Sequence, residues 1–448
     1  MLPIDTIVKD AGEKDAGGPV LPPRADVVVI GGGVIGVCTA LSLAEKSLSV
    51  VLCEKGVIAG EQSSRNWGWC RTMGRDPGEI PLALESLRLW RGMNARVGAE
   101  TGFRAAGTMY VCDDARALAR QEAWLDHARQ YQIEARMLGP EAVAQALPGA
   151  RRRFAGGIHT PTDGRAEPFQ AVPAIARAAQ AAGVTILEHC AVRGIERTAG
   201  HVGAVVTERG RIDCGAVVLA GGAWSRLFCG NAGIVLPQLK VLGSVLRTTP
   251  LDGPTEGAVG GSDFAFRKRL DGGYTVARRN ANVAEIVPDS FRFLPDFAPM
   301  LPTSRHELRF RIGRTFLHEW RARRQWSLDE ASPFEEMRVL DPAPTQPLLD
   351  EVWATLTRDF PAFAGARVAQ SWGGMIDVTP DAVPVISGID ALPGFYVATG
   401  FSGHGFGIGP GAGRLMADIV AGDAPIVDPA PFRYGRFRST RGVAARAA

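Results

Sequence analysis

The sequence predicts an α/β protein founded on a Rossmann-like dinucleotide-binding unit, and three observations near its N-terminus predict it. An apolar strand, Ala25 to Ile30, runs into Gly31-Gly32-Gly33-Val34-Ile35-Gly36, and a helix of small and apolar residues follows. A second apolar strand, Leu48 to Leu52, then leads to Glu54 and Lys55, the glutamate standing 18 residues after Gly36. In such a βαβ unit Gly31 permits the tight turn, Gly33 lets backbone N–H groups approach a pyrophosphate, and Gly36 lets the helix pack close to the sheet. Val34 and Ile35 open the helix, whose N-terminal dipole favours phosphate charge. Glu54 stands where a carboxylate accepts hydrogen bonds from the two hydroxyls of an adenosine ribose.

The chain has 448 residues, enough for two interleaved domains that each bury a core. A net charge of +3 is too mild to imply nucleic acid, and neither an aromatic-basic platform nor metal-finger spacing is present. No metal site and no nucleic-acid partner are therefore expected. Seven scattered cysteines fit a reducing compartment. Residues 1–24 mix charges with Gly and Pro, and no run approaches a membrane span, so the reading is a soluble, cytoplasmic protein with a mobile N-terminal tail.

Further along, the spacing of apolar residues predicts helices over 80–97 and 114–132 and an Ala-rich helix over 169–182. Strand patterns over 185–188, 191–198, 201–207 and 211–219 return the chain to the first sheet. Strands over 238–248 and 272–277 belong to a second sheet, and a helix is expected over 349–360. A last strand, 395–398, leads into the glycine-rich run Gly400 to Pro410 and a helix ending near Ala421. Pro410 suits a first helical turn, where a missing N–H is harmless.

The stretch 303–325 departs from this plan. Leu308, Ile312, Phe316 and Trp320 repeat every four residues, while Arg305, Arg309, Arg311, Arg314, Arg321, Arg323 and Arg324 cover the other faces. The pattern suits a basic amphipathic helix for a membrane surface or an anionic partner. It also suits a helix packed across its own substrate domain with a solvated basic face. Gly313 interrupts the repeat and Glu307 and Glu319 dilute its charge, which favours the packed helix over membrane contact.

Five separated stretches, read together, resemble the flavoprotein family that includes glycine oxidase, monomeric sarcosine oxidase and the D-amino-acid dehydrogenases. The first is the βαβ unit with Glu54. The second, Glu61-Gln62-Ser63-Ser64-Arg65-Asn66-Trp67-Gly68, is similar to the family's segment running past the pyrophosphate toward the flavin ring. The third, Thr162 to Pro168, resembles the segment that opens the helix before the flavin domain is re-entered. The fourth, Val218-Leu219-Ala220-Gly221-Gly222-Ala223-Trp224-Ser225, resembles the second FAD signature. The last comprises Trp372-Gly373-Gly374, Thr379 to Pro384 and the loop Gly403-His404-Gly405-Phe406-Gly407.

The resemblance implies an FAD-binding, glutathione-reductase-type domain interleaved with an α+β substrate domain carrying a mixed or antiparallel sheet. Residues 25–110, 155–235 and 370–430 fall to the FAD domain, 111–154 and 236–369 to the substrate domain, and 1–24 and 431–448 to tails. Val192 in the returning strands joins the implied FAD contacts. Backbone N–H groups around Gly405 and Gly407 would stabilise negative charge on a reduced flavin. No Cys follows Cys229, so non-covalent FAD is implied, with Cys70 as an exception left open.

The implied reaction is oxidation of a C–N single bond in an amino acid or secondary amine, with hydride passing to flavin N5 and the imine then hydrolysing. Proximity and flavin electronics carry such chemistry, so no nucleophile is required. His404 is the one histidine placed by motif. A substrate carboxylate would call for arginine, and Arg267, Lys268, Arg269, Arg278, Arg279, Arg71 and Arg75 are the candidates. Trp67, Trp69, Tyr274 and Trp372 would wall the pocket. Some relatives activate oxygen with a lysine absent here from Leu270 to Asn280, which favours a quinone, dye or protein acceptor over oxygen. Similar scaffolds also oxidise 2-hydroxy acids or glycerol phosphate, or serve as flavin-containing partner-binding or electron-transfer subunits.

Overall fold

The computed structural model describes residues 19–304 and 307–437. Most of the expected N-terminal tail, part of the expected C-terminal tail and Arg305 lie outside the described residues. Val27–Ile30 pairs in parallel with Val50–Cys53 on one side and Ala216–Leu219 on the other. Thr185–Leu187 and Phe395–Thr399 extend this sheet in parallel, and Val385–Gly388 closes it as an antiparallel edge. The central strands are buried along their whole length, as their unbroken Val/Ile/Leu runs require. The expected single strand 211–219 divides into Gly210–Asp213, in a small antiparallel sheet, and Ala216–Leu219, in the parallel one.

The second sheet is mixed. Leu239–Thr248 is its spine, paired antiparallel with Val368–Val378 and Tyr274–Ala277, and Ala265–Lys268, Ala258–Gly260, Thr108–Cys112 and Gly156–Thr160 continue it. Aromatic contacts among Phe264, Phe266, Tyr274, Phe360 and Phe363 pack the helix Gln346–Asp359 and the turn after it onto one face.

Several elements differ from expectation for local reasons. The helix over 80–97 breaks at Gly92 into Ile80–Arg91 and Met93–Val97. The closing helix begins at Gly405 rather than at Pro410, so the proline sits inside it. Ser86 Oγ accepts from Gly411 N–H and donates to Gly407 C=O, which also receives Trp90 Nε1–H, so a neighbouring helix satisfies backbone groups beside the proline. Beyond the expected boundary at 431, Phe432, Tyr434 and Phe437 are buried, and the Tyr434 hydroxyl donates to Val235 C=O.

The largest correction concerns 303–325. Leu308–Arg311 is a strand, parallel to Asn282–Glu285, with the short helix Leu301–Ser304 before it and the helix Arg314–Arg321 after it, because extended Gly313 ends the strand and begins the second helix. Nor is the segment packed down. Phe310, Ile312, Leu317 and Trp320 are more than half exposed, and Phe291 joins them.

Glu167 and Arg267 join the two sheets. Both side chains have no solvent exposure, and Arg267 Nη1 donates to Glu167 Oε1 at 2.5 Å while Nη2 donates to Oε2 at 3.2 Å. Arg267→Met, which strands the carboxylate, should cost about 3–5 kcal/mol of stability. A lowered denaturation midpoint checks this, with exposed Arg129→Ala as the control expected to leave the midpoint unmoved.

Candidate functional site

A cavity of about 770 Å³ runs from the Gly31–Gly36 turn, past Ser63 and Trp67, to the loop Gly403–Gly407. At its first end Gly31 has φ +110°, and a Cβ there would lie 2.5 Å from Ala220 C=O. Only glycine combines that conformation with that approach. Gly36 does not line the cavity; its Cα faces Gly31 C=O at a distance that leaves no space for a Cβ, which is its packing role. Val34 N–H donates to Ser63 Oγ at 2.8 Å, tying the helix N-terminus to the second predicted segment.

Glu54 ends the second strand and accepts from Gly32 N–H at 2.6 Å and Gly56 N–H at 2.7 Å. Burial pushes its carboxyl above the ordinary value, against the pull of Lys55 and of those two N–H groups. Lys55 is itself committed: Nζ pairs with Glu61 at 2.7 Å, donates to Met337 C=O and Arg338 C=O, and lies 4.5 Å over the Trp224 ring. Arg65 pairs with Asp341 and donates to Gly373 C=O, so a strap around 338–341 is fastened across the segment 61–65. Asn66 Nδ2 donates to Ser63 C=O and its Oδ1 accepts from Gly68 N–H, which holds the turn carrying Trp67.

Among the residues predicted to bind cofactor, Gly36 and Ser64 alone stand back from the cavity wall; Val192, Ala220, Gly221, Trp224, Phe406 and the others line it. The residues predicted to act on substrate divide differently. His404 lines the cavity, but Arg267, Tyr274 and Trp372 do not. Arg267 is spent on Glu167 and on Trp67 C=O. The Tyr274 hydroxyl donates to Thr255 C=O within the aromatic core, and burial pushes it up to about 12. Trp372 donates Nε1–H to Arg65 C=O and supports the segment from behind. Lys268 donates to Leu251 C=O, also outside the cavity.

Of the other arginines expected from sequence, Arg71, Arg75, Arg278 and Arg279 line the cavity, and two of them share an aromatic partner. The Tyr110 ring, on Thr108–Cys112, carries Arg279 at 4.2 Å and Arg71 at 5.6 Å. Arg279 Nη1 donates to Gly261 C=O and Arg71 Nη1 to Met73 C=O, and among the described residues neither has a carboxylate partner. Trp69 lies tilted against Tyr110 at 6.1 Å and meets Trp67 edge-on at 5.5 Å. Tyr110 was missed from sequence because its strand lies in the 111-residue neighbourhood of a presumed boundary and carries no motif. Among the described residues no group of His, Cys, Asp and Glu is placed to hold a metal, and no helix is long and apolar enough to cross a membrane.

A family model described as FAD dependent oxidoreductase, DAO, matches residues 26–419. The solved L-amino acid deaminase from Proteus myxofaciens, in complex with anthranilate, superposes with a TM-score of 0.91 at 37% identity, covering 95% of this chain and 96% of that one. Sarcosine oxidase subunit beta from Arthrobacter is 26% identical, over 92% of this chain and 91% of that protein. Glycine oxidase from Pseudomonas putida is 26% identical, over 91% of this chain and 97% of that protein.

Gly33→Val should abolish retention of a dinucleotide cofactor, because a Cβ at this position would lie 3.0 Å from Ser63 Oγ and the added methyl groups would enter the cavity. Glu54→Gln should weaken retention less, by about 1.5–3 kcal/mol for a lost charged acceptor. Flavin absorbance remaining after dialysis measures both, and full retention by both variants would contradict the assignment.

Proposed function

The chain belongs to the DAO family of FAD dependent oxidoreductases, and from that premise we propose that it oxidises the C–N bond of an α-amino acid. The observation that carries this reading is the pair Arg279 and Arg71 flanking Tyr110 inside the cavity, two guanidinium groups of which neither makes a direct salt bridge among the described residues. Arginine is suited to planar capture of a carboxylate, and the aromatic face between them holds both in place. An L-amino acid is favoured by the 37% identity to a protein named L-amino acid deaminase.

The donor set fits FAD. The glycine cradle with Ser63 and the N-terminus of Val34–Ala44 would hold the pyrophosphate, and Glu54 the ribose. The N-terminus of Gly405–Ala421 would face the ring end, where its dipole favours negative charge. When bound, FAD supplies the hydride acceptor at N5. Cys70 is fully buried and off the cavity wall, which supports non-covalent binding. Trp67 and Trp69 exclude water from one side of the pocket, and Arg279 and Arg71 orient the substrate by its carboxylate.

An acceptor other than oxygen accompanies this reading. The lysines on the cavity wall, Lys55 and Lys240, are paired with Glu61 and Glu319, and Tyr274–Ala277 carries none.

Anaerobic mixing with a panel of L- and D-amino acids should bleach the flavin band with L-amino acids, and Arg279→Ala should raise KM about tens-fold through loss of a charged hydrogen-bond partner. A panel in which 2-hydroxy acids alone bleach the band would overturn the reading. In stopped-flow experiments, reoxidation of substrate-reduced enzyme by air-saturated buffer should be far slower than dye-coupled turnover. Reoxidation keeping pace with turnover, with stoichiometric hydrogen peroxide, would make it an oxidase.

A further inference from the structure

Behind the loop that opens the closing helix lies a buried polar cluster that the carboxylate site leaves unused. Glu79 immediately precedes Ile80–Arg91 and is 1% exposed, and neither of its carboxylate oxygens has a hydrogen-bond partner. Its Oε2 lies 3.3 Å from Nδ1 of His404, itself buried and with no hydrogen-bond partner, so the two groups stand at ion-pair distance without the alignment of a formed hydrogen bond. Arg75, 3% exposed, stands nearby with Nη1 unpartnered. Buried polar groups that give up water and gain nothing are costly and few, so their convergence at one end of a cavity calls for a purpose.

The charges of these groups can be assigned. Burial opposes ionisation of Glu79, but His404 in the acid range where its ring is charged, together with Arg75 and Arg71, outweighs it and holds the carboxyl below the usual carboxylate range. Burial and the Arg75 charge push His404 down to about 4, against the pull of Glu79. At neutral pH an anionic carboxylate therefore faces a neutral imidazole. A carboxylate only accepts, so its charge favours the proton on the ring nitrogen nearest to it. Nδ1 is that nitrogen, which leaves the lone pair on Nε2, and His404 lines the cavity.

We propose that Glu79 is a positioning residue that holds His404 in the Nδ1–H tautomer, so that Nε2 offers a hydrogen-bond acceptor to the amino group of the substrate. The proposal rests on the amino-acid reading above. The substrate N–H donates to Nε2 while its carboxylate is held at Arg279 and Arg71, and no proton need leave the substrate for this orientation. The opposite tautomer would turn an N–H toward an ammonium group and repel it.

The test uses FAD-loaded protein labelled with ¹⁵N in its seven histidines, the His404 signals being those lost in His404→Gln. Wild type should show the Nδ1–H pattern at neutral pH. Glu79→Asp, which keeps the charge, should keep it. Glu79→Gln, whose carboxamide can donate as well as accept, should lose it, and should raise the KM for amino acid about tenfold with a smaller change in kcat, as loss of a charged hydrogen bond predicts. FAD content and thermal midpoint report whether each variant folds. An Nε2–H pattern in wild type, or a Glu79→Gln spectrum and KM matching wild type, overturns the proposal. If no amino acid reduces wild type, the functional reading fails with the substrate half of this inference, while the tautomer pattern still decides what Glu79 does to His404.

Discussion

The buried pair between Glu167 and Arg267 is the constraint on which the arrangement of the site depends. Glu167 sits at the mouth of the helix Pro168–Ala181, which packs on the parallel sheet, and Arg267 belongs to a strand of the mixed sheet. Burial works against the glutamate's charge, yet Arg267, Arg269 and the Leu270 N–H together hold its carboxyl below the ordinary range. An ion pair taken out of water is tolerable only when its remaining lone pairs and protons are satisfied. Here they are: Arg267 also donates to Trp67 C=O at 2.6 Å and to Lys268 C=O at 3.1 Å.

That third bond ties the ion pair to function. Trp67 lines the cavity, and the next residue, Gly68, has φ +75° with a would-be Cβ only 2.5 Å from Arg267 Nη2. The chain can pass between the two sheets at this point only without a side chain. The same wall is braced from the other side, where Trp372 Nε1–H meets Arg65 C=O. Arginine and tryptophan residues that a motif reading places in contact with substrate thus serve as the frame that positions the tryptophans lining the cavity.

The closing helix shows a comparable division of labour. Its N-terminus, at His404 and Gly405, reaches the cavity, while Pro410 opens its hydrogen-bond ladder one turn later. Ser86 and Trp90 fill the opening from Ile80–Arg91, the helix whose first residue follows Glu79. The contact that repairs the helix therefore also brings the buried carboxylate to the imidazole. In contrast, Phe310, Ile312, Leu317 and Trp320 form an apolar surface left to solvent, with Arg309 and Arg311 on the same strand and Arg314 and Arg321 on the helix.

Local chemistry was enough to read the nucleotide-binding half. Gly31, Gly36 and Glu54 act within one βαβ unit, where turn conformation, helix approach and strand length are set by residues close in the chain, and the parallel sheet follows from unbroken apolar strands. The substrate side was not legible in the same way. Which arginine faces the cavity depends on the partner it meets: Arg267 finds Glu167 100 residues away, whereas Arg279 and Arg71 hydrogen-bond to backbone carbonyls, flank a tyrosine ring and form no salt bridge among the described residues. The four-residue repeat of Leu308 to Trp320 misled for a related reason, since Gly313 and pairing with Asn282–Glu285 override helical periodicity. The sequence by itself pointed to the family and to FAD through its resemblance to known flavoproteins, and to the glycine turn because backbone geometry there is encoded locally. Tertiary structure alone decided which charges are spent inside the protein and which line the cavity, because a buried ion pair is a long-range agreement between segments that no local pattern records.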